Sequence, residues 1–162
     1  MSRRAAARLE SLNFHEVCAY APGKVDWIAY GLPIERGRDA PAMVGDVMAR
    51  ELPRCGPHDL VGAARDAAYE MGMDICPVVN EQGIVLGLCT RSSLHAHPSI
   101  EVEHVMEAGP LTVRPSMAIE QALHRLERKK GRPLLVTTPD GTLIGYFDRG
   151  AVVPDNGKAA EI

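Results

Sequence analysis

Aromatic side chains are scarce in this 162-residue chain, 4% against 46% apolar residues overall, so Val, Leu, Ile, Ala and Met must build its core. Long apolar runs are missing too: none approaches the roughly 18 residues of a bilayer span. The start, "MSRRAAARLESL", has arginines but no continuous apolar stretch, which argues against a secretion signal. There is no surplus of positive charge. A net charge of −3 and a pI near 6.1 argue against a nucleic-acid binder that works by neutralising phosphates. The basic cluster "RLERKKGR" is interrupted and reads as a solvated helix end. The four cysteines (Cys18, Cys55, Cys76, Cys89) form no Cys-x-x-Cys and have no His at metal spacing. Cys76 and Cys89 lie in apolar runs, as small buried hydrophobes do. No Ser/His/Asp order, phosphate-binding Gly loop or mechanistic acid pair stands out. These absences describe a reduced, cytoplasmic protein that is not an enzyme, requires no cofactor, and has neither nucleic acid nor membrane as a partner.

What the chain does have is an internal repeat. "VGDVM" (44–48) lies 58 residues before "VEHVM" (102–106), and the same offset relates Pro57 to Pro115, Gly83 to Gly141, Gly87 to Gly145 and Arg91 to Arg149. Matching Pro77 to Pro133 gives an offset of 56, so a two-residue slip is expected in the middle. Two long copies mean duplication of a domain rather than a solenoid. In the second copy "LTVRPS" reads as a short strand with Ser116 as a helix N-cap. Ile119, Ala122, Leu123 and Leu126 then fall on one helical face. "PLLV" and "LIGYF" read as strands joined through Pro-Asp-Gly turn chemistry. Leu60, Val61, Ala64, Ala67, Ala68 and Met71 make the matching stripe in the first copy, with His58 or Asp59 near the cap. Strand, helix, strand, turn, strand, short helix is the order of an α+β unit. One unit of about 50 residues buries too little surface to be secure alone. Two stacked through their sheets share a core.

On these motifs, with the hairpins "PVVNEQGIVLG" and "LLVTTPDGTLIG", the chain resembles a tandem pair of CBS domains, the Bateman module, over about Met43 to Val153. The resemblance implies an α+β fold of two strand-helix-strand-strand-helix repeats, 43–96 and 101–153, stacked with pseudo-two-fold symmetry. Before them lies a segment 1–37, and after them a flexible tail 154–162. It also implies a regulatory module that senses an adenosine-containing ligand (AMP, ADP, ATP or S-adenosylmethionine) in clefts between the sheets. The family's ligand motif, Gly-h-x-Thr/Ser-x-x-Asp, is kept only in part. "GLCTRSSL" has Thr90 and Arg91 but Ser93 at the Asp position; "GYFDRGAV" has Asp148 at the Thr position, Arg149, and Ala151 at the Asp position. Cys55, Pro77, Val78 and Thr112 complete the candidate set. A charged hydrogen bond contributes roughly 1.5–3 kcal/mol, so losing the Asp weakens a site by about 10- to 100-fold. The first site, built on Thr90, is the better candidate. The alternative is a ligand-free dimerisation or interaction scaffold with degenerate clefts. In that reading Thr90 and Asp148 only cap short helices, and Arg91 and Arg149 are solvated or paired with acids. Under either reading the resemblance implies a disc-like homodimer, and the Ala-rich stretch Ala63 to Ala68 permits close helix contact. A further protein partner is expected but not named by the sequence.

The segment "AARLESLNFHEVCAYAPGKVDWIAYGLPIE" belongs to neither repeat. It reads as a short helix around Ala7, Leu9 and Leu12, a strand "EVCAYA", and a helix "GKVDWIAYGLP" stopped by Gly31 and Pro33. It resembles the closing portion of a rhodanese-like domain, without the cysteine loop that such an enzyme needs. Cys18 is therefore expected in a strand and in the core, and Trp27 as a packing anchor onto the repeats. His95, His97 and His104 lie between the copies. The i, i+2 pair lacks nearby ligand partners, and His58 is isolated in sequence, so no metal site is expected.

Overall fold

The computed structural model describes residues 3–18, 23–34, 41–128 and 132–150. It opens with α1 (Arg3–Glu10) and α2 (Lys24–Ala29). The expected strand around Cys18 is absent from its described part. Asn13 and Glu16 take left-handed conformations, at φ 63° and 61°, which breaks any extended run before it starts. Cys18 is consequently exposed, not in the core; residues 19–21 of "EVCAYA" lie outside the described residues. The Trp27 indole donates to the Pro33 carbonyl at 2.7 Å and ties the segment to itself. The segment meets the repeats at Gly31, where an added Cβ would lie 3.3 Å from Pro115 Cγ.

The repeats supply α3 (Val44–Val47), α4 (Val61–Glu70), β1 (Cys76–Val79), β2 (Val85–Cys89), α5 (Arg91–Leu94), β3 (Glu107–Ala108), β4 (Thr112–Val113), α6 (Ile119–Arg128), β5 (Leu134–Thr137) and β6 (Leu143–Phe147). A 3-10 turn at Val102–His104 precedes β3. The strands form two three-stranded sheets, β1-β2-β3 and β4-β5-β6. This is the expected α+β architecture. The helix stripes bury as periodicity dictates, with Val61, Ala64 and Ala68 on α4 and Ala122 and Leu126 on α6, while Leu60 and Met71 at the ends of α4 stay exposed.

The start of α6 differs from expectation. α6 begins three residues after Ser116, because a turn from Arg114 O to Met117 N intervenes. The Asp59 carboxylate accepts the Gly56 amide at 2.6 Å, and Leu60 stands at the N-cap of α4.

The expected two-residue slip is also absent. Cys76 pairs with Cys89 and Leu134 with Phe147, Val78 with Gly87 and Val136 with Gly145, so the offset is 58 throughout. Pro77 lies over Leu135, not Pro133. Both hairpins close identically: Asn80 N donates to Ile84 O and Thr138 N to Thr142 O, each at 3.0 Å. Pro77 lies within β1, whereas Pro133 immediately precedes β5.

Packing exchanges segments between the copies. Val44 and Met48 of "VGDVM" lie in the core of the second hairpin, with Val113, Ala122, Leu126, Leu134, Val136 and Phe147. Val102 of "VEHVM" lies in the first, with Cys55, Val61, Ala64, Ala68, Cys76, Val78, Cys89 and Leu94. The backbone repeats the exchange: Val44 N donates to Met117 O (2.9 Å) and Val102 N to Asp59 O (2.8 Å). A third cluster, Leu52, Ile75, Leu88, Leu135 and Leu143, draws on both copies and is their shared core.

Candidate functional site

β2 delivers its last residue, Cys89, to the interior, and the chain leaves the sheet at Thr90. Thr90 is extended (φ −88°, ψ 171°) and stands at the N-cap of α5, yet its hydroxyl makes no capping bond to the helix. Oγ1 instead lies 2.9 Å from Ser92 Oγ and 3.4 Å from Ser93 Oγ. Thr90 is only 7% exposed, and its hydroxyl meets the two serine hydroxyls rather than the helix backbone. Ser93 is committed: its hydroxyl donates to the Val105 carbonyl at 2.7 Å and fastens α5 to the segment between the copies.

Thr90 opens on a cleft of about 570 Å³ between the two copies. The first copy contributes Asp74, Ile75, Thr90, Arg91, Ser92 and His95, and the second contributes Arg132 and Pro133. Arg91 is exposed. Arg132 reaches Glu107 at 3.2 Å on the surface, a contact that solvent weakens. His95 Nδ1 lies 2.8 Å from the Arg91 carbonyl, an arrangement that favours donation from Nδ1 and leaves Nε2 as the ring's other polar atom. The cleft thus combines apolar Ile75 and Pro133, the buried Thr90 and exposed Ser92 hydroxyls, and a cationic rim with one carboxylate, Asp74. Such a lining suits a flat polar body carrying an anionic end.

The remaining expected residues are distributed elsewhere. Cys55, Pro77 and Val78 lie in the interior: Cys55 N donates to Pro77 O at 3.1 Å, and Cys55 bridges Val78. Hydrogen bonding with Cys76 and burial push the Cys55 thiol up to about 12, and its contact with Cys55 raises Cys89 likewise. Thr112 is half-buried on β4 opposite Leu135. Asp148 is half-buried beyond β6, where burial and then its charge raise the Tyr146 phenol. Arg149 pairs with Glu127 of α6 at 3.2 Å. Ala151 lies outside the described residues.

Asp74, Ile75, Ser92, His95, Arg132 and Pro133 are the cleft residues that sequence reasoning missed. One signal was there: Asp74 and Arg132 are 58 apart, the same repeat position, each two residues before a strand. Arg114, also missed, donates to the Thr137 carbonyl and hydroxyl at 3.1 and 2.6 Å and locks β4 onto β5.

A family model described as "CBS domain" matches residues 44–97 and 102–155. The crystal structure of CBSX2 in complex with AMP is 28% identical, with a TM-score of 0.62 over 67% of this chain and 91% of that one. The CBS domain pair of protein MJ0100, solved with 5′-methylthioadenosine and S-adenosyl-L-methionine, shares the fold at 13% identity (TM-score 0.62, 70% of this chain and 94% of that one). Among curated proteins, a homoserine O-acetyltransferase of Methanococcoides burtonii is 25% identical over 143 residues, 86% of this chain. The chain spans only 28% of that relative's length.

Proposed function

Because the chain belongs to the CBS domain family and carries two copies of its unit, we propose that it is a regulatory module whose inter-repeat cleft takes an adenosine-containing ligand at Thr90. AMP, ADP, ATP and S-adenosylmethionine are the candidates. The observation that carries this reading is the cleft itself: about 570 Å³, a buried threonine hydroxyl with no capping role, and Arg91 and Arg132 brought to one rim from different copies. That volume falls in the range of small-molecule sites. The 28%-identical CBSX2, solved with AMP, supports the ligand class. In this reading 43–96 and 101–153 are the repeats, and 1–37 is an appended segment to which no activity is assigned. Residues 154–162 lie outside the described residues. The homoserine O-acetyltransferase match, confined to 28% of that enzyme's length, does not bring its activity here; the chain acts without a catalytic centre of its own.

Among the described residues no helix is long and apolar enough to cross a membrane, and we place the protein in the cytoplasm. It pairs with a second copy through helical surface such as α4, where Leu60, Tyr69 and Met71 are exposed, and passes ligand state to a further protein through differential affinity between conformations. Light scattering that finds only monomer across micromolar concentrations overturns the pairing. Calorimetric titration with the four ligands, on the wild type and Thr90→Ala, tests the site: micromolar binding lost in the variant supports it. Titrations without heat to millimolar ligand favour the second reading, an interaction scaffold, for which the commitment of Ser93 to Val105 and of Arg149 to Glu127 speaks.

A further inference from the structure

The segment between the copies carries a second constellation, remote in sequence from the cleft's Thr90 strand end. His58 lies in the turn before α4. Glu101, Glu103 and His104 lie on and beside the 3-10 turn, which the backbone clamps against that turn: Glu103 N donates to Pro57 O at 2.9 Å, and Leu60 bridges Glu101. The clamp gathers the side chains. His58 Nδ1 is 3.3 Å from Glu101 Oε2 and 4.0 Å from Glu103 Oε1, and His104 Nε2 is 3.9 Å from the same Glu103 oxygen. Ligand atoms of His58, Glu101 and Glu103 all lie within 4.8 Å of one another.

The internal repeat serves as a control. The equivalent connection in the other half closes with the same backbone bonds, Val44 N to Met117 O and Gly45 N to Pro115 O, and the same bridge, Met43 to Ala118. There the positions of His58, Glu101 and Glu103 hold Ser116, Met43 and Gly45. The position of His104 holds Asp46, which accepts the Met43 amide at 2.8 Å. The fold therefore closes this connection without an imidazole–carboxylate set, and the set in the first half answers to something other than folding.

We propose that His58, Glu101 and Glu103, with His104 beside Glu103, form a binding site for a divalent transition metal of the Zn²⁺ type. One imidazole and two carboxylates, with water in the fourth position, are a nitrogen–oxygen ligand set that Zn²⁺ accepts tetrahedrally, with bonds of about 2.0–2.2 Å. Such a shell has edges of about 3.3 Å between ligand atoms; His58 Nδ1 stands 3.3 and 4.0 Å from the two carboxylates, and the three ligand atoms lie within 4.8 Å of one another. Metal bound here clamps the linker onto the turn before α4, independently of any ligand in the cleft.

Titration of the full chain with Co²⁺, followed by Zn²⁺ displacement, tests the site. The expected result is one equivalent giving the d–d absorption of a four-coordinate nitrogen–oxygen site, without a thiolate charge-transfer band, and a rise in melting temperature with Zn²⁺. His58→Asn and Glu103→Gln, both at exposed positions, each weaken binding at least tenfold and abolish the rise, while His97→Asn changes neither. No binding at millimolar metal, a thiolate band, or equal affinity in both variants overturns the assignment. An unchanged nucleotide titration alongside keeps this outcome separate from that of the cleft.

Discussion

Ile84 and Thr142 face each other across an antiparallel bridge, and they are the same residue of the repeat, 58 positions apart. Val85 N donates to Gly141 O (3.1 Å) and Leu143 N to Gly83 O (2.9 Å), two bonds that exchange when the copies are exchanged. The pseudo-two-fold axis therefore passes between the hairpin tips. Gly141 holds φ +90° there, and an added Cβ would lie 3.3 Å from Ile84 Cγ2. Gly141→Ala should cost about 1–2 kcal/mol from the left-handed backbone alone, lowering the urea midpoint at constant m-value. A neutral substitution would show that Gly141 does not hold the left-handed conformation.

The exchange of Val-Met segments makes a directional prediction. Val44 is fully buried in the second hairpin's core although it precedes the first. Val44→Ala removes two methylene equivalents and leaves a cavity, for a cost of about 2–3 kcal/mol. Native-state hydrogen exchange should lose protection first in α6, β5 and β6. Val102→Ala should do the opposite, loosening α4, β1 and β2. Protection lost within each segment's own sequence repeat contradicts the exchange.

Local chemistry made the hairpins, the helix stripes and the Thr90–Arg91 pair legible, because turn residues and periodicity are written within ten residues of where they act. The exchange was not, since Val44 and Val102 carry the same apolar signal whichever core receives them. The apparent slip arose from matching Pro77 to Pro133, although Pro77 lies within β1 and Pro133 just before β5, so the two are not the same repeat position. Cys18 failed as a core residue because the left-handed Asn13 and Glu16 leave no trace in composition. The cleft was half legible: Arg132 arrives from the second copy, and only the folded pairing of the sheets brings it to Thr90.

Within the cleft the side chains should separate cleanly by substitution. Arg132→Ala and Arg91→Ala each remove a charge-assisted contact worth roughly 1.5–3 kcal/mol, a loss of about 10- to 100-fold in affinity for a phosphate-bearing ligand. Ser93→Ala, despite standing at the family's Asp position, should leave affinity within about twofold while lowering stability by roughly 1 kcal/mol, because its hydroxyl serves Val105. Calorimetry on the three variants checks this, and a large affinity loss in Ser93→Ala refutes the placement.

The buried thiols give a pH dependence with a definite sign. At pH 8 a thiol reagent should modify Cys18 quickly and Cys55, Cys76 and Cys89 only after unfolding, since the first is exposed and the others are buried. Cys55 is raised from 9.0 to about 12 in the folded state, and Cys89 is raised too. Between those values the unfolded chain releases a proton that the native state keeps, so the native state binds more protons and stability falls as pH rises. The contribution is whole below pH 9 and is lost progressively toward 12. Urea midpoints measured from pH 8 to 10 should therefore decline, and less steeply in Cys55→Ala, which removes one titrating thiol and the partner that raises Cys89. A midpoint that holds or rises over that range would mean the thiols are solvated in the folded protein.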